Sequence, residues 1–209
     1  MASDAFSMVR NPIDTPGTPK PRAAPPRVTA TTPRRRIHVF GASGSGTTTL
    51  GGVLAGRLDA LHLDADTYYW IETDPPFIEK RPAGDRVAAI ERDIGTAARW
   101  VLSGSLCGWG DALVPQFDLA VFLFLDPTTR LARLRARERR RFGGRIDPGG
   151  DMHAQHLEFM AWAAGYDHGR APRRSLDLHE RWMQRLDCPI LRLDARAGPQ
   201  RLADQVLEP

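Results

Sequence analysis

Eight residues, Gly41-Ala42-Ser43-Gly44-Ser45-Gly46-Thr47-Thr48, combine a backbone free to curl with a run of hydroxyls at its end. Glycines let successive N–H groups turn inward onto phosphate oxygens. A helix that follows adds the free N–H groups and the positive dipole end of its first turn. The pattern G-x-x-x-x-G-K-[ST] also sets a lysine on the β/γ-phosphates and a hydroxyl on Mg²⁺. Gly41 and Gly46 fit it, Thr48 supplies the hydroxyl, and Thr47 stands where the lysine would be. The expected contacts to ATP are Gly41, Ser43, Gly44, Ser45, Gly46, Thr47, Thr48 and Thr49. A glycine-serine turn without a ligand is the competing reading, and the order strand, loop, helix argues against it. Phosphoryl transfer is a separate expectation, because threonine brings no charge to follow the group in flight.

Acidic and basic residues elsewhere complete a candidate site. Leu63-Asp64-Ala65-Asp66 ends a short strand candidate, and in an open parallel sheet ligands sit beyond the carboxyl ends of strands. Strand alternation would point Asp64 and Asp66 the same way; capping of the next turn is the alternative role for either. Lys80, Arg81 and Arg86 lie in a Pro-broken segment, 73–86, and are candidates to hold an anionic acceptor, against a plain solvated loop. Trp109, in a glycine-rich stretch after a strand candidate, suits stacking on a flat ring as well as ordinary packing. Between Arg130 and Arg145 eight arginines meet one acid, Glu138. Arg130 to Arg135 read as a solvated helix face. Arg137, Arg140 and Arg141 run into a Gly/Pro stretch, 142–150, that suits a mobile lid closing on a triphosphate, with arginine replacing the absent lysine charge. RNA binding by this run is the rival, weakened by the lack of interleaved aromatics. Asp126 ends an apolar strand but precedes Pro127, which favours a helix N-cap over a metal ligand. His153, His156 and Asp151 have helical spacing without a convincing further ligand, which favours an exposed helix face over a metal site.

The elements that must position these groups follow from periodicity. Strand candidates at 37–40, 61–63, 100–102, 117–125 and 190–193 alternate with helical stretches at 47–58, 85–99, 127–141, 152–166, 175–186 and 199–207. That alternation means a parallel sheet covered on both faces. Residues 117–125 are apolar almost throughout, as a doubly covered strand should be. The loop 195–198 after the last strand would lie near a nucleotide base.

The net charge of +4 divides unevenly. Residues 1–36 carry seven basic and two acidic side chains, and the remainder 22 basic against 23 acidic. The folded part therefore has no global basic excess and does not point to nucleic acid as a partner. Residues 1–34 hold seven prolines and few large apolar residues, so a disordered tail or partner-binding arm is expected there, with one domain from 35 to 209. The longest apolar run, Leu119–Leu125, is far short of the roughly 20 residues that span a bilayer. No secretory signal pattern opens the chain, and the expectation is a cytoplasmic protein. Cys107 and Cys188 are expected as buried thiols.

Gly41–Thr49, Leu102-Ser103-Gly104-Ser105 with Trp109-Gly110-Asp111, and Asp147-Pro148-Gly149-Gly150 resemble bacterial P-loop proteins of adenylate-kinase-like type. The unit is also similar to the nucleoside monophosphate kinase and shikimate kinase branch, in which some cytidylate kinases carry threonine at the lysine position. The resemblance covers residues 36–195. It implies an α/β three-layer sandwich with a five-stranded parallel sheet, order 2-3-1-4-5, and a lid near 137–150. It implies ATP and Mg²⁺, with Thr48 on the metal, Asp64 holding it through water, and Asp66 on the acceptor. It sets segment 73–86 where such proteins close over their acceptor, and Gly104 and Trp109 on the acceptor pocket. The activity implied is phosphoryl transfer to a nucleoside monophosphate or a metabolite hydroxyl. A nucleotide-binding sensor or weak ATPase that has lost transfer with its lysine remains the other reading.

Overall fold

The computed structural model describes residues 36–169 and 174–208, so the expected tail at 1–34 lies outside the described residues. Five strands form one parallel sheet: β1 (Arg36–Gly41), β2 (Leu61–Asp64), β3 (Trp100–Ser103), β4 (Leu119–Phe124) and β5 (Ile190–Asp194), in the order β2-β3-β1-β4-β5. This is the order expected. Around it lie α1 (Thr47–Leu58), α2 (Ala65–Tyr69), α3 (Ala83–Ile94), α4 (Pro127–Phe142), α5 (His153–Ala164), α6 (Leu176–Met183) and α7 (Pro199–Leu207).

Strand alternation sorts the apolar residues of β1 and β4 between two cores. Ile37, Val39, Leu119, Val121 and Leu123 meet Leu50 and Leu54 of α1 and Leu202 and Val206 of α7 on one face. Phe40, Ala120 and Phe122 meet Ile90 and Ile94 of α3 and Trp182 and Met183 of α6 on the other. A strand buried on both faces has no polar side to show, which is why β4 reads as continuous apolar sequence.

Two sites in the second core are polar. His38 is buried, stacked between Phe40 and Phe117 at 5.0 and 4.9 Å, with Nδ1 3.0 Å from the Leu102 carbonyl. Burial pushes its pKa down to about 3. His179 of α6 lies between the Ser105 hydroxyl (2.9 Å) and the Tyr166 hydroxyl (2.8 Å), tying α6 to the loop after β3. Cys107 and Cys188 are half-buried rather than buried, and loss of solvation raises both thiols to about 11.

All strands being parallel, their carboxyl ends share one edge of the sheet, and the loops after β1, β2, β3 and β5 emerge there together. That edge carries the chemistry.

Candidate active site at the phosphate loop

The loop after β1 turns sharply into α1. Gly46 sits at φ 97°, a conformation that L side chains avoid, and is the N-cap of α1 without any side-chain cap. The first N–H groups of a helix have no intrahelical partner, so an uncapped α1 leaves them for a ligand. The Ser45 hydroxyl is buried and unpartnered among the described residues. Gly44, Ser45, Gly46, Thr47, Thr48 and Thr49 line a cavity of about 1140 Å³. Ser43 instead faces an adjoining cavity, and Gly41 is buried at the end of β1.

Thr48 donates its hydroxyl to Asp64 Oδ2 at 2.9 Å, and Asp64 Oδ1 accepts the Asp66 N–H at 3.0 Å. Asp64 therefore caps α2, the alternative role weighed for it, while it also meets the loop hydroxyl. A hydroxyl and a carboxylate side by side are hard oxygen donors of the kind Mg²⁺ takes. Asp66 belongs to the first turn of α2, not to a strand, so alternation is not what aims it. Both acids nonetheless line the phosphate-loop cavity. Asp66 is open to the cleft but deep among protein atoms. That desolvation raises its carboxyl above the usual range; Arg174 pulls it down, Asp64 pushes it up, and Arg137 and Arg141 pull it down.

The chain is 42% identical over 175 residues to the Bacillus subtilis (strain 168) "Uncharacterized protein YqaC", spanning 84% of this chain and 97% of that one. The chain belongs to the same family as this YqaC protein. It is also 31% identical over 114 residues to a cytidylate kinase of Methanocorpusculum labreanum, a match that spans 49% of this chain and 63% of that enzyme. Among solved structures it is similar to a shikimate kinase from Acinetobacter baumannii in complex with shikimate, at 15% identity and a TM-score of 0.47, covering 84% of this chain and 94% of that one. No family model matches the chain.

In this YqaC-family chain a second cavity, of about 1070 Å³, adjoins the first. Asp66, Trp70, Phe77, Arg137 and Arg141 line both, so the two adjoin as one cleft with Asp66 on their shared wall. Lys80, Arg86 and Trp109 line the second cavity, and Arg81 the first. Arg86 is buried, with its guanidinium 3.8 Å from the Tyr69 ring centre and 5.4 Å from that of Trp109, and its Nε donates to the Arg81 carbonyl at 2.6 Å. Trp109 donates Nε1 to the Ser105 carbonyl at 3.1 Å, which fixes its ring on the cavity wall. Gly104 is a correction: it lines neither cavity. At φ 101° it passes against Ala65, where a Cβ would come within 2.8 Å of the Ala65 Cβ, so it packs β3 onto α2.

Of the stretch 142–150, expected as a Gly/Pro loop, Phe142 closes α4, Gly143–Ile146 form a 3₁₀ turn and the rest is turn and bend. Arg137, Arg140 and Arg141 lie in the last turns of α4, followed by a 3₁₀ turn at Gly143–Ile146. All three face the phosphate-loop cavity. The turn is cross-braced: Arg145 reaches Asp151 at 3.0 Å and Asp74 at 2.7 Å, and Gln155 donates to the Pro76 carbonyl at 2.7 Å. Arg141 covers the Phe77 ring at 4.6 Å. Segment 73–80 is thereby latched to the end of α4 and to α5. Asp126 caps α4 through the Thr129 N–H at 2.9 Å, as expected. His153 Nδ1 sits 2.9 Å from the Ile146 carbonyl, and Asp151 is taken by Arg145.

Arg130 and Arg174 escaped the sequence reading. Arg130, read as part of a solvated face, is fully buried beneath the phosphate loop. It donates to the Ala163 carbonyl at 3.0 Å, reaches the Ser43 carbonyl at 3.5 Å and pairs with Asp167. Arg174 donates to Ser43 Oγ at 3.3 Å and covers the Trp162 ring at 5.5 Å. Sequence offered one signal for Arg130, its place in the first turn of a helix that must pack on the sheet. For Arg174 it offered none, because 130 residues separate it from the loop it touches.

Proposed function

We propose that this protein is a cytoplasmic Mg²⁺- and ATP-dependent phosphotransferase acting on a small molecule that carries a hydroxyl, a flat or apolar face and an anionic group. One observation carries the reading: two cavities of similar size meet at a carboxylate, Asp66, with the phosphate loop on one side and aromatic and cationic side chains on the other. ATP fits the first cavity through the N–H groups of residues 44–48, with the base side toward Ala195 and Gly198. Mg²⁺ fits the Thr48 and Asp64 oxygens and, when bound, neutralises charge on the phosphates. Lys80 and Arg86 suit the acceptor's anionic group, and Tyr69 and Trp109 its flat face, while Arg81 stands on the nucleotide side.

Asp66 favours a hydroxyl acceptor over a nucleoside monophosphate. A hydroxyl must give up a proton as its oxygen attacks, and a positioned carboxylate with a raised pKa takes it well. A phosphate oxygen is already ionised, and a carboxylate beside it is repulsive. Asp66 accepts the proton, Arg137, Arg140 and Arg141 surround the transferring group, and helix α4 with the latched segment 73–80 excludes water.

Thr47 favours a second reading, a nucleotide-binding sensor or weak ATPase, because it leaves the loop without a charged side chain of its own. ADP release measured with Mg-ATP and a panel of acceptors separates the two. The kinase reading expects release that depends on one hydroxyl-bearing acid or phosphate ester, and a fall of tenfold or more in Mg-ATP affinity in Thr48→Ala. Absence of ATP binding at millimolar nucleotide would retire both readings.

A further inference from the structure

The phosphate loop lacks its lysine, yet a cation does touch it. We infer that Arg174, from outside the loop and outside the helix α4 cluster, supplies the positive charge that Thr47 does not, and so gives the site its preference for a triphosphate. The inference rests on the nucleotide-binding reading of the loop, not on transfer to any acceptor.

Three observations single Arg174 out. Its Nη1 is 3.3 Å from Ser43 Oγ, so its guanidinium is fastened to the side chain of a loop residue. It lines the second cavity together with Ser43 and Asp66, and its charge pulls on the Asp66 carboxylate ahead of Arg137 and Arg141. Like Arg140 and Arg141, it forms no ion pair with a carboxylate among the described residues, but it alone of the three bonds to the loop.

The competing arginines are placed differently. Arg130 also reaches Ser43, but it is sealed below the loop and its charge is matched by Asp167. Arg137 is paired with Glu138, and Arg141 lies on the rings of Phe77 and Phe142. Arg174 is also held in place from behind. It stacks on Trp162, and the next residue, Ser175, is buried and caps α6 through the Leu178 N–H at 3.2 Å. A guanidinium fixed by stacking and by a helix cap loses little freedom when it meets a phosphate. A cation delivered to a phosphate loop from another part of a protein is a chemically sufficient substitute: such arginines are worth on the order of 10³–10⁵ in phosphoryl-transfer rate.

The test is the ratio of ATP to ADP affinity, read by calorimetry on the full chain with Mg²⁺. The parent should hold ATP more tightly than ADP. Arg174→Gln keeps a hydrogen-bond donor toward Ser43 and removes the charge. It should bring that ratio down by tenfold or more while ADP affinity changes little. Adding Thr47→Lys to Arg174→Gln should restore the ratio, because the charge returns from the loop itself. A parent without triphosphate preference overturns the inference, as does an Arg174→Gln protein, folded by circular dichroism, that keeps the parental ratio. Should no acceptor be phosphorylated while the ratio still falls in the variant, the kinase reading fails and the assignment of Arg174 stands.

Discussion

The two halves of the cleft are built in opposite ways. The phosphate side has a backbone floor, a tight turn after β1 and the uncapped start of α1 within residues 44–49, to which Asp64 and the arginines of α4 are added. The acceptor side is made of side chains drawn from α2, the segment 73–86, the loop after β3, and α4, α5 and α6. A backbone site is written in glycines at fixed spacing, and it binds a chemical class, phosphate, without choosing among molecules. A side-chain site is written across the whole chain, and choice of substrate resides there. Asp66 is where the two meet, so substitutions on either side of it should separate the two functions.

The largest expected effect is at the junction. Asp66→Asn should lower kcat for a hydroxyl acceptor by about 10³-fold, within the range for loss of a general base, with ATP affinity nearly unchanged. The pH profile sharpens this. Asp66 works ionised, and burial raises its folded pKa above the ordinary carboxylate value. Activity should therefore fall as pH drops through a midpoint higher than that of an exposed aspartate, and that acidic limb should vanish in the variant. A loss under fivefold would mean the acceptor atom is already ionised, a phosphate rather than a hydroxyl.

Next is the buried anchor under the loop. Arg130→Met removes the partner of Asp167, which stays mostly buried with its charge unmatched. Breaking one side of a buried pair costs roughly 3–5 kcal/mol, so denaturant unfolding should show a loss of about 3 kcal/mol. Arg130→Met with Asp167→Leu should recover most of it, since removing both charges removes the mismatch. Equal stability of the single and double variants would show that the pair contributes through packing alone.

How much was legible follows the same division. The parallel sheet covered on both faces and the phosphate loop were readable because each rests on local pattern: strands alternating with helical stretches, glycine spacing in 41–46, hydroxyls at 47–49; the strand order came from the family resemblance. Asp64 and Asp66 were found by position at a strand end, although Asp66 is aimed by helix α2 rather than by strand alternation. Arginine roles were mostly not readable. Arg130 and Arg137 sit in one helix and look alike in sequence, yet one is buried against Asp167 and the other lines the cleft. Only the rotation of α4 on the sheet tells them apart, and that rotation is set by tertiary packing. Gly104 misled for a related reason. A glycine on a loop near the site resembles a ligand contact, but close approach to Ala65 demands it just as well.

The smallest expected effect tests the acceptor side alone. Trp109 lies on the wall of the acceptor cavity, its ring fixed by the bond from Nε1 to the Ser105 carbonyl and faced by Arg86 at 5.4 Å. A ring held this way offers a flat apolar surface, and aromatic contacts of that kind are worth roughly 0.5–1.5 kcal/mol beyond area burial. Trp109→Ala should therefore raise the acceptor KM by about tenfold, since about 1.4 kcal/mol corresponds to a factor of ten. Trp109→Phe keeps the face, loses only the bond to Ser105, and should fall between parent and alanine variant. ATP affinity is the internal control, because Trp109 lines only the second cavity. If Trp109→Ala weakened ATP and acceptor alike, the cleft would be one binding unit, and the division between a backbone half and a side-chain half would not describe how this protein binds. If kcat fell with KM unchanged, Trp109 would act by positioning the acceptor against Asp66 rather than by holding it. Steady-state kinetics with each substrate varied in turn, on the three proteins, decides among these.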